Sequence, residues 1–238
     1  MPLSKGKFRH EIKLLLTQAD YLLMRSRLQA VLKQDKYTLE SGDYFIRSLY
    51  LDDIMKTAYY EKLSGVADRK KYRVRIYNYS SDAVKLECKE KRGTMIRKRS
   101  SSIDLAAAQG IINGDFSELY RFDDEVSKEV LSKATGKGLA PSVVVDYDRE
   151  AYVHPMGNVR LTFDKALHAG ITSADIFDRS LVTLPVFPDG SVIFEVKYDE
   201  FIPKHIAQIV SGAHGQKLAL SKFCLCRDKL SQLKPRYF

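Results

Sequence analysis

The sequence predicts an α+β protein built on one antiparallel, closed β-barrel of eight strands with helices around it. Three features of the 238 residues support this prediction. Five short segments place ionisable residues at alternate positions, which is the two-residue period of a β-strand. Turn sequences separate most of the strand-like segments, as in hairpins. No linker, composition shift or internal repeat divides the chain, so we expect a single domain over residues 1–238.

The first half of the chain predicts five strands and two helices. The strand-like segments cover residues 8–16, 44–51, 71–79, 83–91 and 94–103. The helices, over residues 18–32 and 53–63, begin at side chains that cap helices, Thr17 and Asp52-Asp53. Turns at residues 80–82 and at Arg92-Gly93 join the last three strands as hairpins.

The second half predicts a helical insert followed by further strands. The insert covers about residues 104–138 and ends at Gly136 and Gly138. Strand-like segments return at residues 142–152, 159–165, 181–184 and 192–198. Pro203 lies in the first turn of a helix, and a last helix is predicted over about residues 216–233. The resulting eight or nine strands favour a closed barrel with peripheral helices.

The composition indicates a soluble globular protein with an anionic partner. The net charge of +9 suits nucleic acid, anionic lipid or a phosphorylated small molecule, although a solvated basic surface without a partner is an open alternative. No run approaches the roughly 18 apolar residues of a membrane span, and the N-terminus lacks a signal-peptide core. The three cysteines have no zinc-site spacing. We therefore expect a cytoplasmic protein without a transmembrane segment, and leave open a peripheral association with a membrane protein and the oligomeric state.

The alternating charges predict that one face of the sheet carries a set of cations. The residues between them are mostly apolar and belong to a core on the other face, so closure of the sheet would turn the charges inward. The candidate inward-facing cations are Lys13, Arg73, Arg75, Lys89, Lys91, Lys98, Arg149, Arg160 and Lys197. Buried unpaired charges are costly. We therefore expect a wet tunnel with an anionic occupant.

Four acids share the parity of these cations: Glu11, Glu87, Asp164 and Glu195. Glu87 and Asp164 are expected to pair with neighbouring Arg and Lys. Glu11 and Glu195 are better candidates for Mg²⁺ or Mn²⁺, which prefer one or two carboxylates with phosphate oxygens and water. The sequence contains no phosphate-binding glycine loop, and its five histidines show no metal-ligand spacing. Because the cations are interleaved with acids, nucleic acid is not the expected partner.

An ordered series of short motifs resembles the vacuolar-transporter-chaperone (VTC) domain of the triphosphate tunnel metalloenzyme superfamily. The similarity covers about residues 5–230. The motifs are Arg9-x-Glu11-x-Lys13, Arg73-x-Arg75, Glu87-x-Lys89, Lys98, Tyr147-x-Arg149, Arg160-x-x-x-Asp164, Glu195-x-Lys197 and Ser221-Lys222.

The resemblance implies an eight-stranded tunnel, a bound divalent ion (Mn²⁺ or Mg²⁺) and transfer of the terminal phosphate of ATP onto a growing inorganic polyphosphate chain. By the same resemblance, Glu195 is the main metal ligand, with Glu11 beside it, and Lys13 lies near the reacting phosphate. The groups that grip the triphosphate and product are Arg73, Arg75, Lys89, Lys98, Arg149, Arg160 and Lys222. Further substrate contacts are assigned to Tyr147, Lys197, Lys91 and Ser221.

One departure from the superfamily bears on the reaction. Its hydrolytic branch begins with Glu-x-Glu-x-Lys, whereas Arg9 stands at the first acid here. The loss of that carboxylate favours a polymerase, and the compact chain resembles stand-alone bacterial members. A tripolyphosphate or nucleoside-triphosphate hydrolase of the same fold and a non-catalytic polyphosphate-binding module are the alternatives. We expect Arg73→Ala or Arg149→Ala to abolish turnover and leave the fold intact.

Overall fold

The computed structural model describes residues 7–171, 173–217 and 219–233. Their strands are β1 (His10–Leu16), β2 (Lys33–Gln34), β3 (Tyr44–Asp52), β4 (Arg69–Tyr77), β5 (Val84–Arg92), β6 (Met95–Ile103), β7 (Ala140–His154), β8 (Val159–Gly170), β9 (Thr183–Pro185), β10 (Val192–Tyr198) and β11 (Gln216–Lys217). The α-helices are α1 (Gln18–Gln29), α2 (Thr57–Leu63), α3 (Leu105–Ile112), α4 (Glu125–Lys137), α5 (Lys204–Ser211) and α6 (Lys222–Ser231). No helix in these ranges combines the length and apolar character needed to cross a membrane.

All these strands belong to one antiparallel sheet. Its order is β11-β1-β10-β8-β7-β3-β4-β5-β6, with β2 beside β7 and β9 beside β8. The sheet curls so far that Lys89 on β5 reaches Glu11 on β1, with 2.9 Å between the ammonium and each carboxylate oxygen. The concave side of this half-barrel therefore brings together residues from both ends of the strand order.

The predicted closure of the barrel is wrong, because the sheet is open. Its two ends meet at one isolated bridge, where Arg9 and Ile96 exchange backbone hydrogen bonds of 2.8 and 2.9 Å. Further along β1, Leu14 and Leu15 pair with β11 instead of β6. Beyond the isolated bridge, the outer edge of β1 is therefore occupied by β11, and β1 and β6 do not form a ladder.

The convex side of the sheet is covered by two groups of helices. The insert predicted at about residues 104–138 contains α3 and α4, which pack on β4, β5 and β6 around Val74, Leu86 and Ile111. Helices α1 and α5 cover β1, β8 and β10 around Leu28, Phe163, Phe194 and others. Each strand thus turns alternate apolar residues towards a helix-covered core, which leaves the intervening polar residues on the concave side.

Helix α6 lies against the concave side rather than outside the barrel. Its Phe223, Cys224 and Cys226 pack with Tyr50, Val145 and other apolar residues of the inner face. The sequence predicted this helix from about residue 216, but Gln216–Lys217 is strand β11 and the helix begins at Lys222. The Ser221 hydroxyl accepts a hydrogen bond from the Cys224 amide and so fixes that start.

Strands β7 and β8 are longer than predicted, and a bulge interrupts their ladder. The register shifts between Asp146 and Asp148, where Ala166 on β8 has a positive φ of 47°. Beside this bulge the Asp146 carboxylate lies on the convex side, where buried Arg47 donates to it from Nε (2.9 Å) and Nη2 (2.7 Å). Tyr147 and Arg149, of opposite parity, face the concave side.

Candidate functional site

The concave side of the half-barrel is lined by charged side chains. We call this lining the charged face, and we call the space that it and α6 surround the tunnel. Its basic residues are Lys13, Lys71, Arg73, Arg75, Lys89, Lys98, Arg149, Lys197 and Lys222, and its acids are Glu11, Glu87, Asp164 and Glu195. All but Lys222 stand on strands. Because strand residues two apart share a face, the alternating segments place these side chains on one surface.

Glu87 on β5 organises the cations of β4 and β6. Its Oε2 accepts from Arg73 Nε at 2.7 Å, and its Oε1 accepts from Lys98 Nζ at 2.8 Å. Arg75 Nη1 lies 3.7 Å from the same carboxylate. Burial alone would raise the pKa of Glu87, but Arg73, Arg75 and Lys98 hold it well below its usual range. The carboxylate is therefore ionised and offsets part of the charge of three cations.

Asp164 on β8 has the same function on the opposite wall. Arg149 donates to both oxygens of Asp164, at 2.6 Å from Nε and 2.8 Å from Nη2, which is a bidentate pair. Lys222 from α6 also contacts this carboxylate. Both cations lie over the ring of Tyr147, at 5.2 Å for Arg149 and 4.8 Å for Lys222. Helix α6 thus adds a cation to a wall that is otherwise built from strands.

Glu11 and Glu195 form the third acidic centre, and they share their cations. In the β1–β10 ladder Glu11 lies opposite Lys197 and Lys13 lies opposite Glu195. Lys13 Nζ is 3.3 Å from Glu11 and 3.9 Å from Glu195, so one ammonium bridges the two carboxylates. Lys197 also contacts both acids, and Lys222 lies 3.8 Å from Glu195. The two acids therefore converge on one point of the charged face.

This pair of carboxylates fits one hard divalent ion. Burial would raise the pKa of Glu195, but Lys197, Lys13, Lys89 and Lys222 hold it well below its usual range, and the pKa of Glu11 is also lowered. Both groups are therefore ionised oxygen donors, the type that Mg²⁺ and Mn²⁺ prefer. The described residues contain no cluster of three or more His, Cys, Asp or Glu side chains suited to a metal. Phosphate oxygens and water must complete the coordination of such an ion.

Three lysines of the charged face are held in conditions that disfavour their charge. Burial, only partly offset by Glu11, lowers the pKa of Lys89 to about 8. Burial and the neighbouring cations Lys13 and Lys89 lower the pKa of Lys71 to about 8. Burial also lowers the pKa of Lys197. An anion in the tunnel would restore the full charge of all three.

Comparison with known families identifies this chain. The model of the VTC domain matches residues 8–231, which is nearly the whole sequence. The chain belongs to the VTC domain family. No curated protein matches it in sequence.

Solved structures similar to this VTC domain have the same curled sheet. A putative adenylate cyclase from Bacillus halodurans superposes with a TM-score of 0.57 at 10% identity, over 90% of this chain and 94% of the other. A putative adenylyl cyclase from Hippeastrum, described as having a dominant triphosphatase activity, also gives a TM-score of 0.57, at 16% identity and over 93% and 96% of the two chains. At these identities the likeness is one of fold.

The structure brings most of the residues predicted for the site into the charged face, while two lie at its ends. Arg160 is bound at one end, where it lies 2.5 Å from Asp35 and donates to the Tyr44 hydroxyl at 2.8 Å. Lys91 lies at the other end, opposite Arg69 in the β4–β5 ladder. Ser221 is the N-cap of α6, and its hydroxyl accepts from Lys71 at 2.8 Å.

Sequence reasoning missed two residues of the charged face in the VTC domain. Lys71 has the parity of Arg73 and Arg75, so the alternation that selected them could have selected it too. Tyr50 on β3 is buried, accepts from Arg73 Nη1 at 2.8 Å and stacks on Phe223 at 5.2 Å. Nothing in the β3 sequence distinguishes Tyr50 from a tyrosine of the hydrophobic core, so only the packing of α6 reveals it.

Proposed function

We propose that this protein is a polyphosphate polymerase that transfers the terminal phosphate of ATP onto an inorganic polyphosphate chain in the tunnel. The observation that carries the proposal is the charged face itself. Nine basic side chains from six strands and one helix surround four carboxylates, of which Glu11 and Glu195 share Lys13 and Lys197. Membership of the VTC domain family supports a reaction of triphosphates or polyphosphates.

The cations suit a chain of phosphates better than a single anion. Arg73, Arg75 and Arg149 present planar forks that bind phosphate oxygens bidentately and stay charged at any relevant pH. Lys13, Lys89 and other lysines add mobile point charges between them. Because these groups are spread along the tunnel wall rather than gathered in one pocket, several consecutive phosphates can be held at once.

The position of the Arg9 side chain favours polymerisation over hydrolysis. Arg9 has the parity of Glu11 and Lys13, but its guanidinium lies 2.8 Å from Asp199 and donates to the Asn158 carbonyl at 2.5 Å. It therefore supports the loops at the rim and brings no carboxylate into the tunnel that could activate water. The acceptor in polymerisation is a phosphate oxygen that is already ionised near neutral pH, so this reaction requires no strong base.

The carboxylates of the charged face offset part of the charge of its lysines. Substrate phosphates compete with Glu11 and Glu195 for Lys13, Lys89 and Lys197, and their arrival leaves both carboxylates able to hold Mn²⁺ or Mg²⁺. When bound there, the ion supplies charge that offsets the negative charge on the transferring phosphoryl group and leaving oxygen.

The arginines and Lys222 hold the donor and acceptor in line. Arg149 is oriented by Asp164, and Arg73 and Lys98 are oriented by Glu87, so each donor points into the tunnel before the substrate arrives. Such preorganised charge is the main source of rate enhancement in phosphoryl transfer. ATP and polyphosphate are thus the proposed partners.

Product analysis tests the proposal. Purified protein incubated with ATP and Mn²⁺ should produce ADP together with phosphate chains that grow with time on a gel. Lys98→Ala should reduce the rate, because Glu87 then loses one of its partners and the tunnel loses one cation. Release of orthophosphate with no chains would support the hydrolase, and tight binding of polyphosphate without any turnover would support a binding module.

A further inference from the structure

One end of the tunnel opens between β4, β5, α2 and the start of α6, and we call this opening the α2 mouth. Four basic residues surround it: Lys62 on α2, Arg69 and Lys71 on β4, and Lys91 on β5. Arg69 and Lys91 also line a neighbouring cavity of about 420 Å³. The ammonium of Lys71 reaches Ser221, at the N-terminus of α6. The mouth is therefore adjacent to the charged face and continuous with it.

The strands at the α2 mouth place like charges directly opposite one another. In the β4–β5 ladder Arg69 pairs with Lys91 and Lys71 pairs with Lys89. In the β5–β6 ladder Lys89 pairs with Lys98, so three lysines lie in one row across the sheet. Like charges in directly opposed positions destabilise a sheet. A ligand that carries several negative charges would offset this repulsion when it binds.

The cations of the α2 mouth are not held in ion pairs by the described residues. In the described part of the chain, Lys62, Arg69, Lys71 and Lys91 make no ion pair with a carboxylate, and the charges nearest Lys62 include Arg69 and Lys13. Of the acids that line the neighbouring cavity, Glu61 lies close enough to act on Arg69, and the others are engaged elsewhere. Asp52 and Asp53 accept from the first amides of α2, Asp68 accepts from the Gly93 amide, and Glu90 pairs with Arg92 and Arg97.

The opposite end of the tunnel is different. It lies at the start of β3, where Tyr44 accepts from Arg160 and Asp35 neutralises this arginine. Lys165 nearby is paired with Asp43 at 2.8 Å. The two ends therefore differ in how their cations are paired: Arg160 and Lys165 are matched by acids, whereas the four cations of the α2 mouth form no ion pair within the described residues.

Helix α6 packs mainly on strands other than those that carry the basic residues of the α2 mouth. Its apolar residues fill the inner face over β3, β7 and β10, in contact with Tyr50, Val143 and Ile193. The basic residues Arg69, Lys71 and Lys91 stand on β4 and β5, beside this packing. They are therefore placed to contact a chain that leaves the charged face at this end.

We propose that the α2 mouth binds the phosphate units that extend beyond the reacting ones, and that the polyphosphate chain passes out of the tunnel there. This inference rests on the proposed function, because it requires that the charged face hold a phosphate chain. It goes beyond the proposed function in two ways: it states at which end the chain leaves the tunnel, and it assigns a subsite that only long chains reach.

Chain-length-dependent binding tests this assignment. The dissociation constants of tripolyphosphate and of a long polyphosphate are measured for the wild-type protein and for Lys62→Ala/Arg69→Ala. We expect the double variant to weaken long polyphosphate by roughly five- to tenfold, as two part-exposed charge contacts contribute together, and to leave tripolyphosphate within about twofold. The matched control is Lys33→Ala/Lys36→Ala, which removes two exposed cations beside Asp35 at the β3 end and should leave both constants unchanged.

The outcomes separate this assignment from the proposed function. Equal losses for the two ligands, or no loss for either, would overturn the α2 mouth as a long-chain subsite. A selective loss of long polyphosphate in the control variant would place the exit at the β3 end instead and equally overturn it. If the wild-type protein binds neither ligand, the proposed function itself fails, and this assignment fails with it.

Discussion

Glu195 is the main candidate for a metal ligand in the charged face. It is buried, four lysines hold its pKa well below the usual range, and it converges with Glu11. Replacement by Gln keeps the shape of the side chain and removes the charge needed to hold a divalent ion. We expect Glu195→Gln to lower turnover by roughly 100-fold or more, the scale of removing one electrostatic stabiliser of a transition state. Steady-state ADP formation from ATP measures this.

Binding and a second carboxylate provide the controls for Glu195. Because Glu195→Gln leaves the charged face more positive, the affinity for tripolyphosphate should be unchanged or higher. Glu129 on the convex side also accepts from basic residues, Lys70 and Arg99 among them. Glu129→Gln should leave turnover near that of the wild type. A fall in turnover as large as that of Glu195→Gln would attribute the effect to general destabilisation.

Lys89 predicts a pH dependence of anion binding. Burial lowers its pKa to about 8, so its positive charge is present below that pH and is lost as the pH rises through it. Lys71, also with a pKa of about 8, acts in the same direction. We expect the dissociation constant of tripolyphosphate to increase between about pH 7 and pH 9, because the arginines keep their charge and these lysines lose it.

Arginine substitution checks the assignment of this pH dependence. Lys89→Arg keeps its charge through the whole range and should flatten the profile, with the remaining slope due to Lys71. Calorimetric titrations at several pH values give the constants. A profile as steep in Lys89→Arg as in the wild type would show that another group is titrating.

Arg149 shows where the structure changes an expectation from the sequence. A row of like charges suggested that losing one arginine would leave stability intact, but Arg149 is a bidentate partner of buried Asp164. Removing one member of a buried ion pair costs about 3–5 kcal/mol. We expect Arg149→Ala to lower the free energy of unfolding on that scale, and Asp164→Asn in the same chain to recover much of it. Urea unfolding of both variants measures this, and equal stabilities of Arg149→Ala and the wild type would restore the earlier expectation.

At the scale of elements, α6 connects the hydrophobic core to the site. Phe223 is almost fully buried, stacks on Tyr50 and lies beneath Lys71 at 4.9 Å. Phe223→Ala should destabilise the protein by about 3–5 kcal/mol and also lower turnover, because Lys222 and Ser221 lose their support. Leu233, which is half exposed after the end of α6, is the matched control, and Leu233→Ala should change neither quantity. Thermal unfolding beside the turnover assay distinguishes the two variants.

The strands could be predicted from the sequence where polar and apolar residues alternate, because this alternation reflects which side chains are buried. The period of two placed Arg73, Arg75, Glu87 and Lys89 on one face, and the contacts of Glu87 with Arg73 and Lys98 are of the kind expected for it. Alternation gives no guide at Asp146, because a charge at an alternate position can equally belong to a buried pair on the convex side, as with Arg47. Alternation gives parity within a strand but does not say which parity faces inward.

At the scale of the whole molecule, neither the open state of the barrel nor the direction of α6 could be predicted from local sequence. Both depend on which segments meet across the sheet: β11 takes the edge of β1 that closure would need, and α6 turns into the concave side. The two residues of β11 carry no strand signal of their own, because their pairing partner is set by the fold of the preceding chain. The composition, in contrast, gave the net positive charge that the tunnel collects on one surface.

A tunnel of excess positive charge should stabilise the whole fold when an anion occupies it. Tripolyphosphate held by the charged face would bind the native state only, so it should raise the melting temperature in proportion to the logarithm of its concentration above the dissociation constant. The shift should shrink as salt is added, because the interaction is between charges. Sulfate at matched ionic strength is the control and should shift the melting temperature far less.

The fate of the terminal phosphate of ATP tests the central claim most directly. The protein is given ATP labelled at the γ-phosphate, Mn²⁺ and a preformed polyphosphate chain, and the labelled products are separated. We expect the label in the polyphosphate chain with one ADP formed for each phosphate added, and loss of both in Glu195→Gln. Label recovered only as orthophosphate, at the same rate with or without the chain, would contradict the account.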